Sequence, residues 1–454
     1  MDPRILINIV FLLFVVPHFF SLAAAQYLHT MELLPQMCSS ERRHDPGIAL
    51  HGLADTASAL SSIFRNEDIP DTAIQVSAFP GSGIPVYNSS LMMMVQGLLS
   101  RQEVLLEYFP TDTLIYIMMF TRESVKVYMS KTGREFWQEV KLFQRRMRLA
   151  DFRDYRKQSE ILSDVLLGKV AMRLKEKTKA VVVAHSLMNG FPFEALVLPA
   201  KSGSGKGKKR YLVEELEIVY NTSVFQWLKT RMRRKLAGFK LPAENKLAFV
   251  GFSPGFYFHE CVQALHNADT EINKIGRMFS EKGIPPLVLM AENSNEYNFR
   301  SVARFSNILH IATHSIKSDE FPEMNGLLFH EFGSDQNNGN DDDGILAVHE
   351  ICDLQIPADL IVLNSCSSAN IRSRVGMNWF SCPECFMKAG ASNVLCTLWN
   401  VTDRFAEQFM VEFYRNYLTG MSFSKALQKV KVMMINDAPT SLPVNWAAYI
   451  LIGE

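Results

Sequence analysis

Short apolar runs bounded by turn residues alternate with stretches of helical spacing over most of the chain. Residues 104–109, 114–120 and 124–129 read as three strands, separated by the turns Pro110-Thr-Asp-Thr113 and Thr121-Arg-Glu123, and a meander is their simplest arrangement. A long charged helical stretch over 136–177 leads to an apolar strand at 180–184. The second half alternates more regularly: strand 246–251, helix 269–279, strands 286–290, 308–313, 360–364 and 392–398, then helix 403–418. Strands with no polar side to give to water, interleaved with helices, imply a mostly parallel sheet covered on both faces. The expected fold class is α/β.

Between these elements the pattern is weaker. Residues 26–96 read as a helical or linker region, with helical spacing over 50–64 and breaks at Pro70, Pro80-Gly-Ser-Gly83 and Pro85. Lys201-Ser-Gly-Ser-Gly-Lys-Gly-Lys-Lys-Arg210 lacks the spacing of a phosphate loop and reads as a solvated hairpin loop. The basic run Lys229-Thr-Arg-Met-Arg-Arg-Lys235, followed by Pro242, reads as part of a connector over 229–245 between two halves, 97–240 and 241–454. The Asp-rich stretch 335–343 fails calcium-loop spacing and reads as a turn. In the last helix Phe405, Phe409, Phe413 and Tyr417 recur every four residues, which makes them a core stripe. Residues 5–16 are almost continuously apolar and precede Ser21-Leu-Ala-Ala-Ala25-Gln26, so residues 1–25 read as a signal peptide or a membrane anchor. An exported or membrane-associated protein is expected, with any membrane attachment through residues 5–25.

Composition narrows the function. Lys plus Arg equals Asp plus Glu at 47 each, so no global field favours a polyanion, and no nucleic-acid role is expected. The seven cysteines are irregularly spaced in a chain of 454 residues, which predicts mostly free thiols rather than a disulfide framework. No cofactor is implied.

The candidate chemistry lies at the ends of two apolar strands. Ile308-Leu-His-Ile-Ala-Thr-His314 ends on an imidazole, and Leu360-Ile-Val-Leu-Asn-Ser-Cys366 ends on a thiol. A parallel sheet delivers strand ends to one edge, and a cysteine beside an imidazole that can take its proton is what a thiolate nucleophile requires. Other pairings are weaker. His310 and His314 have no third zinc ligand in view, so His310 reads as structural. Cys382-Pro-Glu-Cys385 has redox spacing, but no strand feeds directly into it. His185 follows the strand at 180–184 much as His314 follows its own, yet no cysteine lies between residues 39 and 260 to complete a dyad there.

The order of motifs resembles the CHAT peptidase family, relatives of caspases and separase. It runs through Phe191-Pro-Phe-Glu-Ala-Leu196, the His314 segment, Asn325-Gly-Leu-Leu328, Leu363-Asn-Ser-Cys366, Ala389-Gly-Ala391, Leu398-Trp-Asn-Val-Thr-Asp403 and Pro443-Val-Asn-Trp-Ala-Ala-Tyr449. The resemblance implies a caspase-like, mostly parallel sheet flanked by helices, preceded by a related non-catalytic α/β half. It implies a cysteine endopeptidase acting on a protein or peptide substrate, with His314 and Cys366 as the dyad and the backbone N–H groups of Ser315 and Cys366 as oxyanion donors. Where the family usually has Gly after the histidine, this chain has Ser315, whose side chain could crowd that site; the alternative is a catalytically inactive interaction module. Asp403 stands where separase-like relatives place an acid for a basic substrate side chain; equally, it can serve the first turn of a helix capped by Thr402. Relatives are often joined to regulatory helical repeats, for which residues 26–96 leave little room, so the expectation is either a regulator that is a separate protein or a chain that is a shortened version of a longer architecture.

Overall fold

A computed structural model gives the structure of the chain. It describes residues 87, 89–151, 155–185, 188–198, 210–237, 247–255, 265, 267–316, 325–330, 343–364 and 382–454. These residues belong to one compact unit, Ile69–Glu454. The apolar segment 5–16, the cleavage-site pattern, nearly all of 26–96, the basic loop at 201–209, most of the Asp-rich stretch and Cys366 itself lie outside the described residues. Among the described residues no helix is long and apolar enough to cross a membrane.

The architecture is one eleven-stranded sheet with a three-stranded satellite. The first half supplies β1 (Glu103–Pro110), β2 (Leu114–Phe120), β3 (Val125–Lys131), β4 (Lys179–Ala184) and β5 (Glu217–Asn221). The second supplies β6 (Leu247–Ser253), β7 (Leu287–Met290), β8 (Ser306–Ile311), β12 (Leu360–Leu363), β13 (Asn393–Thr397) and β14 (Tyr449–Gly453). Their order is β3-β2-β1-β4-β5-β14-β13-β12-β8-β6-β7. The β1–β3 meander is antiparallel, as the two short turns require. From β1 through β4 to β5, and from β13 to β7, neighbours run parallel. β14 runs parallel to β5 on one side and antiparallel to β13 on the other, joining the halves into one sheet.

Period-two alternation explains why both faces need cover. In β1, Val104, Leu106 and Tyr108 join the larger core, whereas Leu105 and Phe109 join a second core beneath the helices Ser89–Leu98 and Val224–Ala237. The aromatic stripe behaves as its spacing requires: Phe409 and Phe413 are fully buried, and Phe409 stacks on Tyr449 of β14.

Four expectations are corrected. The stretch 136–177 is three helices, Arg134–Arg148, Tyr155–Leu167 and Ala171–Leu174. The first ends just before Ala150, which takes a left-handed φ of 52°, a conformation a helix cannot continue through. The run 229–235 is not connector but the back of the helix Val224–Ala237, whose buried Val224, Trp227 and Leu228 form an apolar face masked in sequence by the basic residues between and after them. Against the expectation of mostly free thiols, Cys352 and Cys385 form a disulfide. The strand at 308–313 stops at Ile311, placing His314 beyond its end.

Candidate functional site

Parallel pairing brings two strand ends together. β8 lies between β6 and β12, and Ile311 and Leu363 are register partners. Two bonds extend this alignment past the strands: Ala312 N–H donates to Phe252 O at 2.9 Å, and Asn364 N–H donates to Ile311 O at 3.0 Å. His314 and Cys366 each stand three positions beyond that register pair. His314 is half-buried.

After His314 the chain turns into the satellite sheet. β9 (Ser315–Ile316) pairs with β10 (Gly326–Leu328), which pairs with β11 (Ile345–Ala347). The buried Thr313 hydroxyl donates to Leu328 O, and Leu328 N–H donates to His314 O at 2.9 Å, so Thr313 and the His314 carbonyl are both tied to Leu328 of β10. Antiparallel ladders alternate bonded and non-bonded pairs, so a bond at His314 turns the Ser315 N–H away from β10. Ser315 is extended and is not among the residues with positive φ, so this position does not require glycine conformationally. Gly326 is needed instead: a Cβ there would meet Leu346 O at 2.6 Å, too close for any side chain.

Asp403 is the first residue of the helix Asp403–Tyr417, and Thr402 is its N-cap, although the Thr402 side chain makes no capping bond. An acid at that position favours the positive end of the helix dipole whatever else it does.

Beneath the strand ends lies a polar cluster that sequence reasoning missed. Glu271, 2% exposed, accepts from His310 Nε2 at 2.7 Å and from Asn364 Nδ2 at 2.8 Å to each carboxylate oxygen. His310 Nδ1 lies 3.1 Å from the Tyr414 hydroxyl, whose pKa is raised well above its ordinary value by burial and by the Glu271 charge. His310 is therefore fully engaged inside the protein, in keeping with a structural role. A sequence signal for Glu271 existed: it stands one helical repeat before Ile275 and Phe279 on the buried stripe of the helix Ala268–Glu281, where an acid is out of place.

The first half carries an echo of this arrangement. His185 Nε2 lies 3.0 Å from Glu107 Oε1, its ring stacks on Phe109, and Tyr87 donates to both Glu107 oxygens at 2.8 Å.

The other motifs are structural. Glu194 of Phe191-Pro-Phe-Glu-Ala-Leu196 meets Lys431 Nζ at 2.8 Å in a fully buried pair. Gly390, at φ +125°, lets the chain pass Ile356 O, which a Cβ would approach to 3.2 Å. Trp399 Nε1 donates to Val444 O at 2.9 Å, and Leu398 N–H to Ala448 O at 2.8 Å, so the two C-terminal motifs hold each other.

Comparison with known proteins agrees with this architecture. A family model described as the CHAT domain matches residues 156–454. Among curated proteins, tetratricopeptide repeat protein 28 from Homo sapiens is 34% identical over 111 residues, covering 24% of this chain and 4% of that protein. The Mus musculus counterpart is 31% identical over 110 residues with the same shares. The chain thus matches a small part of those relatives' length. Among solved structures, the Saccharomyces cerevisiae separase–securin complex superposes with a TM-score of 0.53 at 12% identity, covering 80% of this chain and 30% of that one. At that identity the likeness concerns the fold, which is cysteine peptidase-like. With the family model matched over well more than half of its residues, the chain belongs to the CHAT domain family.

Proposed function

We propose that the chain is a cysteine endopeptidase that hydrolyses peptide bonds in a protein substrate through Cys366 and His314, after a basic residue. The observation that carries this reading is the register of β8 and β12. Ile311 and Leu363 are partners, parallel neighbours lie about 4.8 Å apart, and each candidate residue follows its partner by three positions.

In this mechanism His314 takes the Cys366 proton, and the thiolate forms a bond to the substrate carbonyl carbon. The tetrahedral oxyanion is received by the N–H groups of Ser315 and Cys366, a role supported by the turn of the Ser315 N–H away from β10. The carbon–nitrogen bond then breaks while the His314 imidazolium protonates the leaving amine. Water, deprotonated by His314, attacks the thioester, releasing the acid and restoring the thiol.

The test is an active-site-directed alkylating peptide together with a peptide library. Selective labelling of Cys366 is expected, with turnover lost in Cys366→Ala and lowered about 10²–10⁴-fold in His314→Ala. Undiminished cleavage by Cys366→Ala would refute the dyad. A second reading, an inactive interaction module, is favoured by Ser315 standing where the family usually has Gly; slow, uniform labelling of the thiols together with no turnover would select it.

A further inference from the structure

A cavity of about 40 Å³ opens beside the carboxyl ends of the strands that lead to His314 and Cys366. Its wall includes Glu271, Ala312, Thr313, Asn364, Thr397 and Ala406. Thr313 directly precedes His314, and Asn364 is two residues before Cys366. The cavity therefore adjoins the place where a substrate side chain next to the scissile bond would be held, and Glu271 is the acid in its wall.

The charge of that acid is not balanced by a Lys or Arg: its recorded ion-pair partner among the described residues is His310. A carboxylate only accepts, so His310 Nε2 carries the hydrogen it donates to Glu271. The Tyr414 phenol, kept protonated by burial, lies 3.1 Å from the other ring nitrogen, Nδ1, so both nitrogens of His310 are engaged away from the cavity. The start of the helix Ala268–Glu281 and the Asn364 amide stabilise the anion only with partial charges. Glu271 Oε2 accepts one hydrogen bond, from Asn364, and keeps a lone pair with which a cation entering the cavity can pair.

We infer that Glu271 is a specificity-determining residue and that its cavity takes the primary ammonium of a substrate lysine side chain. This inference rests on the peptidase reading and narrows it, moving the recognition of a basic residue from Asp403 to Glu271. Lysine fits better than arginine. A guanidinium pairs best as a fork on both carboxylate oxygens, but Asn364 already engages both and His310 one. A compact ammonium needs one lone pair, and the cavity holds a group about the size of a water molecule or two.

The experiment has two arms on the full chain. In the first, n-butylammonium and the neutral control n-butanol are titrated calorimetrically. Binding of the cation and not the alcohol is expected, weakened at least tenfold by Glu271→Gln and unchanged by Asp403→Asn. Ala406→Leu, which fills the cavity and leaves the Glu271 bonds intact, provides the second variant and is expected to abolish binding while circular dichroism confirms folding. In the second arm, peptides differing only in lysine, arginine or norleucine before the scissile bond are compared. A lysine preference of tenfold or more in kcat/KM is expected, erased by Glu271→Gln. Equal butylammonium affinity in the wild type and in either cavity variant, or loss in Asp403→Asn instead, overturns the inference. Glu271-dependent binding with no peptide cleaved keeps the cavity and rejects the peptidase; cleavage with no Glu271-dependent preference does the reverse.

Discussion

Lys431 and Glu194 show what a buried charge does in this protein. Both side chains are 1% exposed, the ammonium also donates to Tyr449 O at 2.5 Å, and the Tyr220 hydroxyl donates to the other Glu194 oxygen. Burial pulls the Lys431 pKa below its ordinary value against the opposing pull of Glu194. The pair ties the helix Phe423–Asn436 to the Phe193–Ala195 turn and β14. Lys431→Met leaves Glu194 without a countercharge and is expected to cost about 3–5 kcal/mol in urea unfolding. The double variant with Glu194→Gln is expected to recover part of that loss, since no uncompensated charge remains. At this scale the sequence was legible where a residue's place follows from a strand, as His314 follows the end of β8, and opaque where partners meet from far apart. Nothing near Glu194 announces Lys431, and nothing near Glu271 announces Asn364.

Helices and strands were legible in proportion to how far their pattern was set locally. β2 runs from Leu114 to Phe120 as its apolar run predicts, and the helix starting at Asp403 begins where its cap residue stands. β14 was missed although Tyr449-Ile-Leu-Ile452 is an apolar run, because its neighbours β5 and β13 come from different halves. The Cys352–Cys385 disulfide was missed for the same reason: it joins the helix Val348–Asp353 to the helix Cys382–Ala389, on either side of β12. The bond closes a loop with a sequence separation of 33 that contains β12 and the segment bearing Cys366. Loop-closure entropy predicts that replacing both cysteines by serine lowers stability by about 3–4 kcal/mol. Urea unfolding of Cys352→Ser/Cys385→Ser under non-reducing conditions checks this, and no difference from the wild type would mean the thiols are not paired in solution.

Across the whole molecule, the seam between the halves is charged on one flank. Arg231 bonds Glu103 at 2.5 Å and the Glu454 backbone carbonyl at 2.5 Å, and Lys179 bonds the Glu454 carboxylate at 2.5 Å and Glu217 at 3.5 Å. Burial raises the pKa of Glu103 and Glu454. Arg231 and the Ser100 N–H outweigh it for Glu103, Lys179 and Ser424 outweigh it for Glu454, and both carboxyls end below their ordinary value of 4.5. The unfolded chain therefore takes up these protons first as the pH falls. Their stabilisation is full above 4.5 and is lost as the pH drops through that value and then through the folded-state values. Urea midpoints measured from about pH 6 down to about pH 3 are expected to fall, and to fall less steeply in Glu103→Gln/Glu454→Gln.

The seam also sets an order of events during synthesis. Asn221 of β5 bonds Gly453 of β14 across 232 residues of sequence. At ribosomal rates of about 5–20 residues per second, β5 waits roughly ten to fifty seconds for its neighbour. Throughout that interval the edge of β5 that β14 covers in the folded sheet is open to pairing with other nascent chains.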